Sequence, residues 1–453
     1  MAAALAMSTF IRKFYSVLMW AAQPFLRRKL LRRGQAEPGY LEAVDERFGF
    51  YTQAPEVRSE LVWIHAVSLG ETRTAAILLS TLRAQWPGLR VLLTHGTATG
   101  RAEGASLLRE GDVQVWQPWD SEAAVARFFT HFKPRLGLLL ETEVWPNTVA
   151  CARARSMPLA LVNARLSAKS LQQALRMAPL SKPAYAALTA VYAQSDGDAD
   201  RFCVLGAPVD GVFGNLKFDA APDAAQQLLG RQWRQALGRP VLMLASSREG
   251  EEDDFLKQIG ALALSAHAQA ATEKIADGGA AGLRAAADFQ ILIVPRHPQR
   301  FEEVQALVEQ HGLSVSRRSS WGDAPLPADV WLGDSLGEMA LYYALSDVAL
   351  LGGSYAPLGG QNLIEAAAGG CPVIMGPHTF NFAEVAELAE AAGAARRVQD
   401  MAEAVRSARA MLSRPVAQQA AAEAGLQFAA QHRGAAASTV QALSRWLEQG
   451  LKS

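Results

Sequence analysis

The sequence predicts an α/β protein with two doubly wound domains, preceded by a basic and apolar segment. Three observations support this prediction. The chain has 453 residues, and about 150 residues per domain is typical. Half of the residues are hydrophobic and 19% are charged, which excludes disordered, collagen-like and coiled-coil chains. Short apolar runs alternate with Ala/Leu-rich helical stretches, and this pattern restarts halfway along the chain.

The first 34 residues carry a one-sided charge. Seven basic residues precede the first acidic residue, Glu37, although Lys+Arg and Asp+Glu are both 44 in the whole chain. The apolar stretch Phe14–Leu26 contains Pro24 and is shorter than the roughly 20 apolar residues of a spanning helix. We therefore expect a membrane-associating interfacial helix in residues 1–34, with a solvated surface helix as the alternative. The seven cations are Arg12, Lys13, Arg27, Arg28, Lys29, Arg32 and Arg33.

The apolar runs indicate parallel strands joined by helices, as in βαβ units. In the first half they are Leu61–His65, Val91–Thr94, Leu136–Leu140, Leu159–Val162 and Val191–Ala193. In the second half they are Val241–Ala245, Ile291–Val294, Val348–Leu351 and Pro372–Met375. We expect domains at 35–218 and 219–430, a C-terminal helix at 431–453, and a low-complexity surface loop or helix extension at 261–287. Ligands of such sheets bind at the carboxyl ends of the strands.

Polar residues follow three strands of the first half. Ser68, Gly70 and Glu71 form a turn that opens a helix; Glu71 is either a functional carboxylate or a first-turn acid that satisfies the helix dipole. Glu141, Glu143 and Trp145 follow another strand. Two acids and an indole can bind sugar hydroxyls and stack on a sugar ring, and the alternative is a structural turn that leads into a helix at Pro146. Asn163 and Arg165 follow the next strand.

The second half has turns suited to a phosphate. Arg296 and His297 stand between two prolines at a strand end, where a guanidinium can bind a phosphate in bidentate fashion. The glycine loop 352–360 leads to a helix expected from about Gln361, which would offer free N–H groups, with Glu365 near ribose hydroxyls. Residues 333–338 would line another side of the same phosphate-binding pocket. The turn 246–252 is either a phosphate contact or the acidic start of a helix. Neither Rossmann dinucleotide spacing nor a Walker lysine is present.

Metal and disulfide chemistry is not expected. Cys151, Cys203 and Cys371 are odd in number and widely spaced, which favours a reducing compartment and no zinc site. The run from Asp196 to Asp200 resembles an Asp-x-Asp metal motif. We instead expect the first turn of a helix there, with Ser195 as its N-cap.

Taken together, the ordered blocks resemble the 3-deoxy-D-manno-octulosonic acid (Kdo) transferase family over nearly the whole chain. The resemblance implies the two-domain GT-B architecture, with the acceptor in the N-terminal domain and CMP-Kdo in the C-terminal domain. It also implies an inverting, metal-independent transfer to the glucosamine disaccharide of a lipid A precursor at the cytoplasmic face of the inner membrane, with no cofactor besides the donor and no nucleic acid. The blocks are 32–34 with 38–40, 65–71, 141–147, 163–167, 214–219, 295–300, 333–338 and 352–365.

The resemblance also implies roles for individual residues. Glu71 would be the general base, and the acceptor-side candidates are Ser68, Gly70, Glu141, Glu143, Asn163 and Arg165. The donor contacts would be Pro295, Arg296, His297, Leu336, Gly337, Glu338, Asn362, Leu363, Ile364 and Glu365. Two blocks depart from the family pattern: 246–251 has Ser-Ser-Arg-Glu-Gly-Glu in place of Ser-Thr-His-x-Gly-Glu, and 94–100 lacks the Pro-Thr-Gly turn. A GT-B glycosyltransferase or epimerase with another donor is the alternative, and a non-enzymatic membrane-associated binding protein lies outside that class.

Overall fold

The computed structural model describes residues 2–58, 60–270 and 288–448. The chain divides into two compact units. Unit 1 comprises Met1–Asp219 with Arg433–Ser453, and unit 2 comprises Ala220–His432.

Unit 1 is built on a seven-stranded sheet in which all neighbouring strands are parallel. Its order is β3-β2-β1-β4-β5-β6-β7, so the chain starts at β1 and winds outward in both directions. The five predicted runs of the first half form β1, β2, β4, β5 and β6. The strands are β1 Val62–His65, β2 Val91–His95, β3 Val113–Trp116, β4 Leu136–Leu140, β5 Leu159–Ala164, β6 Ala190–Ala193 and β7 Val209–Val212.

Helices cover both faces of this sheet, because both faces of its central strands are apolar. Val62 and Ile64 face one buried cluster, whereas Leu61 and Trp63 face the other. The helices are α1 Ala2–Ala21, α2 Gln23–Ala36, α3 Leu69–Gln85, α4 Ala98–Ala105, α5 Glu122–Phe132, α6 Pro146–Ala154, α7 Ala168–Arg176, α8 Ala178–Ala186 and α9 Asp196–Val204.

Unit 2 repeats this plan with a second parallel sheet in the order β10-β11-β9-β8-β12-β13-β14. Its strands are β8 Val241–Ser247, β9 Gln290–Pro295, β10 Val315–Arg317, β11 Val330–Leu332, β12 Val348–Leu351, β13 Val373–Met375 and β14 Ala395–Arg397. Its helices are α10 Ala224–Leu237, α11 Glu251–Ala270, α12 Phe301–Gln310, α13 Met339–Leu345, α14 Ile364–Gly369, α15 Ala383–Ala391, α16 Met401–Leu412 and α17 Pro415–Gln431. The prediction of two doubly wound domains is confirmed.

Five of the described strands were not predicted from the sequence: β11 reads Val-Trp-Leu but has only three residues, and the other four contain polar residues. They are β3, β7, β10, β11 and β14, which are short, and β3, β7, β10 and β14 lie at the edges of their sheets. An edge strand is covered less completely, so polar residues interrupt it: β7 reads Val-Asp-Gly-Val, and its residues are half-buried or exposed in alternation.

The ends of the chain belong to unit 1. The N-terminal segment forms two helices, α1 and α2, and none of the helices in the described ranges is long and apolar enough to cross a membrane. Near the other end, α18 (Ala435–Leu447) buries Leu443 and Leu447 in the same cluster as Val62. Of the low-complexity segment, residues up to 270 continue α11, and residues 271–287 lie outside the described residues.

Candidate functional site

The rim of unit 1 lies at the carboxyl ends of β1, β4 and β5. Here Ser68 is the N-cap of α3, and its hydroxyl accepts a hydrogen bond from the Glu71 N–H at 3.4 Å. The Glu71 carboxylate in turn accepts from the Val67 N–H at 2.9 Å and from the Ser68 hydroxyl at 3.0 Å. This reciprocal arrangement resembles a capping box, except that the carboxylate accepts from the N–H of the residue before the N-cap, and it fixes the carboxylate at the strand end.

Glu71 holds its proton unusually tightly for a carboxyl group. Its pKa is raised from 4.5 to about 7, chiefly by burial and also by the negative charges of Glu141 and Glu143, against the hydrogen bond from Val67 N–H. The carboxylates that the sequence placed after β1 and β4 are therefore close enough to interact. A carboxyl group that titrates near neutral pH is suited to accept a proton from a hydroxyl.

The two other acids of the rim have different surroundings. Glu141 is buried, and its carboxylate oxygens lie 2.8 Å from Arg165 Nε and 3.3 Å from Lys217 Nζ. Glu143 accepts from the exposed Trp145 indole N–H at 2.8 Å, and burial raises its pKa. Glu141 is thus paired with two cations, whereas Glu143 is hydrogen-bonded to an indole, and the charges of both act on Glu71.

The histidine at this rim is buried and only weakly basic. His65 is 1% exposed, and burial lowers its pKa to about 3, so its ring is neutral. Its Nδ1 lies 2.9 Å from the Thr94 hydroxyl, and its Nε2 lies 4.0 Å from Glu143.

Gly70 and Asn163, two further candidates at this rim, differ in their exposure. Gly70 is exposed in the first turn of α3. Asn163 is 2% exposed, and its Oδ1 accepts from the Leu216 N–H at 3.0 Å. The Asn163 side chain therefore anchors the 3₁₀ turn Leu216–Asp219 and is not presented to a ligand.

Backbone strain occurs at the carboxyl ends of three strands. Six described non-glycine residues have positive φ, and three of them, Glu141, Asn163 and Ser246, have φ of 56°, 51° and 53° near the ends of β4, β5 and β8. A left-handed conformation costs about 1–3 kcal/mol for such residues and recurs at functional sites.

The rim of unit 2 is cationic at the ends of β8 and β9. Arg296 is exposed, and its N–H donates to the Ser247 carbonyl at 3.0 Å, which ties the two strand ends together. The pKa of the half-buried His297 is lowered by burial and then by the positive charges of Arg248 and Arg296. Arg248, which stands where the family pattern has histidine, therefore adds positive charge at this rim, while its Nε also lies 3.3 Å from the Glu249 carboxylate.

The other residues expected to contact the donor substrate near this rim differ in exposure and in their hydrogen bonds. Pro295 is the buried last residue of β9, and Leu336 is 73% exposed. The Gly337 carbonyl accepts from Gln226 at 3.0 Å, and the Glu338 carboxylate accepts from Arg318 at 2.8 Å.

The glycine loop after β12 differs from the expectation of free N–H groups. The N–H groups of Gly353, Tyr355 and Ala356 all donate to the Glu251 carboxylate, at 2.8, 3.3 and 3.4 Å. At Gly352, any side chain would collide with β8, because its Cβ would lie 2.4 Å from the Ser246 carbonyl oxygen.

The helix after this loop begins later than expected. It starts at Ile364 and not near Gln361, because the Asn362 side chain accepts from the Ile364 N–H at 3.1 Å and ends the turn. Leu363 and Ile364 are buried, so only their backbone could contact a ligand, whereas Glu365 is half-buried in the first turn of α14.

The Asp-x-Asp run has a structural role. Ser195 is the N-cap of α9, as predicted, and accepts from the Asp198 N–H at 3.2 Å. Asp198 is buried, accepts from the Leu166 N–H at 2.7 Å and pairs with Arg201 at 2.9 Å. Within the described ranges, no three His, Cys, Asp or Glu side chains form a group that could hold a metal ion.

Asp120 is a residue that the sequence did not single out. It is 2% exposed, and its carboxylate accepts from the N–H groups of Asn147 and Thr148 at the start of α6. It also accepts from Tyr15 of α1, and Asn147 accepts from Ser16 of α1 at 3.0 Å. No local pattern indicates this role, because the partners are 27 or more residues away in the chain.

Comparison with known proteins agrees with this architecture. A family model described as 3-Deoxy-D-manno-octulosonic-acid transferase (kdotransferase) matches residues 42–220. A 3-deoxy-D-manno-octulosonic acid transferase of Bordetella pertussis is 46% identical over 444 residues, 96% of this chain and 99% of that relative.

Two solved structures are similar in fold. A UDP-GlcNAc 2-epimerase from Neisseria meningitidis covers 85% of this chain and 100% of its own, at 16% identity and a TM-score of 0.55. A glycosyltransferase from Rickettsia africae covers 86% of this chain and 99% of its own, at 12% identity and a TM-score of 0.53. The resemblance seen in the sequence is thereby confirmed: the chain belongs to the 3-deoxy-D-manno-octulosonic acid (Kdo) transferase family and is a glycosyltransferase of GT-B architecture.

Proposed function

We propose that this enzyme transfers Kdo from CMP-Kdo, with inversion, to the glucosamine disaccharide of lipid IVA in lipopolysaccharide core biosynthesis. The observation that carries the proposal is the setting of Glu71. Its carboxylate is fixed by two hydrogen bonds, and burial raises its pKa to about 7. In this mechanism Glu71 accepts the proton of a glucosamine hydroxyl, whose oxygen attacks the anomeric carbon of Kdo as the bond to CMP breaks.

The rim of unit 1 supports binding of a sugar acceptor. Glu143 and the exposed Trp145 form a connected pair, with the indole N–H 2.8 Å from the carboxylate. An indole face can stack on a sugar ring, and a carboxylate can accept hydrogen bonds from hydroxyl groups. Arg165 is half-exposed beside Glu141 and adds a cation for the anionic acceptor.

The rim of unit 2 supports binding of the anionic donor. Arg296 is exposed at the end of β9, and Arg248 lies close enough to lower the pKa of His297. Guanidinium groups stabilise a departing phosphate without a metal ion, so we propose a metal-independent reaction. Glu365 is assigned to the ribose hydroxyls.

The N-terminal helices support attachment to the anionic cytoplasmic face of the inner membrane. They expose large apolar side chains: Met7, Phe10, Phe14, Val17, Leu18, Trp20, Phe25 and Leu31. Two of the seven cations have acidic partners elsewhere in unit 1, because Lys13 lies 3.9 Å from Glu122 and Arg27 lies 3.7 Å from Asp45. These exposed pairs are weak and are readily exchanged for lipid headgroups.

A neighbouring surface supports the same assignment. Helix α8 packs against α1, and Leu175 at the end of α7 and Met177 between α7 and α8 are exposed. The chain has no acidic residue between Glu143 and Asp196, whereas this stretch contains the exposed cations Lys169, Arg176 and Lys182. An apolar surface with only positive charge around it fits an anionic bilayer.

Product analysis tests the proposal. Purified enzyme is incubated with CMP-Kdo and lipid IVA, and the lipid product is examined by mass spectrometry while CMP release is followed. We expect a mass increase corresponding to Kdo, matched by released CMP. If another nucleotide sugar is consumed, the enzyme is a GT-B transferase or epimerase with a different donor, and the proposed substrates are wrong.

A further inference from the structure

Glu251 makes an unusual set of contacts for a buried carboxylate. It is 4% exposed, and no Lys or Arg pairs with it in the part of the chain that the structure describes. One oxygen accepts from the N–H groups of Arg248 and Gly353, at 2.9 and 2.8 Å. The other accepts from the N–H groups of Tyr355 and Ala356, at 3.3 and 3.4 Å.

These four N–H groups come from two different loops. Arg248 belongs to the turn after β8, and the other three residues belong to the glycine loop after β12. Successive N–H groups that converge in a loop form a concave anion-binding site. Here the anion is part of the protein, so the carboxylate holds the two loops together and a ligand phosphate cannot use the same N–H groups.

The hydrogen bond from the Arg248 N–H to Glu251 also holds Arg248 next to the glycine loop. A Cβ on Gly353 would lie 3.6 Å from Arg248 Cγ, so the aliphatic part of the arginine side chain lies along this loop. Gly353 has a φ of 70°, a conformation that glycine adopts without the steric cost that other residues would meet there.

We propose that Glu251 is a positioning residue, an internal anion that sets the spacing between Arg248 and the glycine loop and thereby donor nucleotide affinity. This inference rests on the proposed use of a CMP-linked donor at the rim of unit 2. The ligand phosphate is then bound by the arginine side chains of this rim and not by the N–H groups of residues 353, 355 and 356.

Binding of CMP to the full-length enzyme tests this role. In Glu251→Gln the amide NH₂ group cannot accept from the loop, so we expect CMP affinity to fall by about 10- to 100-fold and the donor KM to rise in parallel. The acceptor KM should be unchanged. The matched control is Asp254→Asn, which removes an exposed acid from the first turn of the same helix and should leave CMP affinity unchanged.

Hydrogen exchange supplies a readout that does not depend on a ligand. The amides of residues 353, 355 and 356 should be protected in the wild type and should exchange faster in Glu251→Gln. If that variant does not fold, Glu251→Asp keeps the charge but shortens the reach, and it should weaken CMP binding by a smaller factor.

Two outcomes separate the two proposals. A folded Glu251→Gln with wild-type CMP affinity, donor KM and amide protection would overturn the role of Glu251. A wild-type enzyme that does not bind CMP, but whose loop amides lose protection in Glu251→Gln, would instead contradict the proposed donor.

Discussion

Glu71 and Glu251 occupy corresponding positions in the two units but have different surroundings. Each lies in the first turn of the helix that follows the central strand, β1 or β8, where the winding of its sheet reverses. Burial raises the pKa of both. At this point of a doubly wound sheet ligands commonly bind, so both carboxylates stand where chemistry is expected.

The residues that follow the neighbouring strand determine the surroundings of each carboxylate. Beside β1, the chain after β4 brings Glu141 and Glu143, whose charges raise the proton affinity of Glu71. Beside β8, the chain after β12 brings the N–H groups of Gly353, Tyr355 and Ala356, which occupy Glu251. One fold position thus yields a candidate base in unit 1 and a structural anion in unit 2.

Loss of the candidate base should have the largest effect. Glu71→Gln retains the shape but cannot accept a proton, so kcat for Kdo transfer should fall by about 10²- to 10⁴-fold. Glu110→Gln, an exposed acid in the same unit, is the control. Near-normal turnover in a folded Glu71→Gln variant would show that Glu71 is not the base, and the proposed functional difference between Glu71 and Glu251 would then be wrong.

Donor-side substitutions should act on KM. Arg296→Ala removes a charged hydrogen-bond donor for the phosphate, which contributes about 1.5–3 kcal/mol, so the donor KM should rise by about 10- to 100-fold. Glu365→Ala removes hydrogen bonds to the ribose hydroxyls, which carry no charge, and should raise the donor KM less than loss of a contact to the charged phosphate. If both variants changed only the acceptor KM, the roles of the units would be reversed. Steady-state kinetics with each substrate varied in turn distinguishes these results.

The cations of the N-terminal segment should have their main effect at a bilayer. Each Lys or Arg near an anionic surface contributes roughly 1 kcal/mol, and salt screens this attraction. Replacing Arg27, Arg28, Lys29, Arg32 and Arg33 with Ser, or deleting residues 1–34, should release the protein from anionic vesicles in flotation assays. It should also slow transfer to membrane-embedded acceptor more than transfer to detergent-dispersed acceptor.

The control for this experiment removes five exposed cations from unit 2. Arg231, Lys257, Arg396, Arg406 and Arg414 are replaced with Ser, and flotation should be unchanged. Flotation of the N-terminal variants that equals the wild type and does not respond to salt would identify α1 and α2 as ordinary structural helices.

Chelation should have no effect. The proposed mechanism neutralises the phosphate with Arg296 and its cationic neighbours, so CMP release should continue in excess EDTA. Complete loss of activity that Mg²⁺ or Mn²⁺ restores would contradict a metal-independent reaction and would direct attention back to Asp196 and Asp200.

Sequence reasoning worked where the determinants are local. Apolar runs located nine strands, and the residues from Ser68 to Glu71 indicated a turn that opens a helix, because each depends on residues a few positions apart. It did not reveal the occupied glycine loop, since Glu251 lies more than 100 residues before its partners. The same distance in sequence concealed Asp120 and its contact with α1.

The pH dependence of kcat tests the central claim most directly, because it reports the protonation state of the base in the enzyme–substrate complex. Glu71 is active when deprotonated, and burial raises its pKa to about 7, so kcat should fall as the pH drops through about 7. Glu143→Gln removes a like charge and should move this limb to lower pH. A wild-type profile that stays flat from pH 5 to 8, or that falls only near 4.5, the usual pKa of a glutamate, would contradict the assignment of Glu71 as the base.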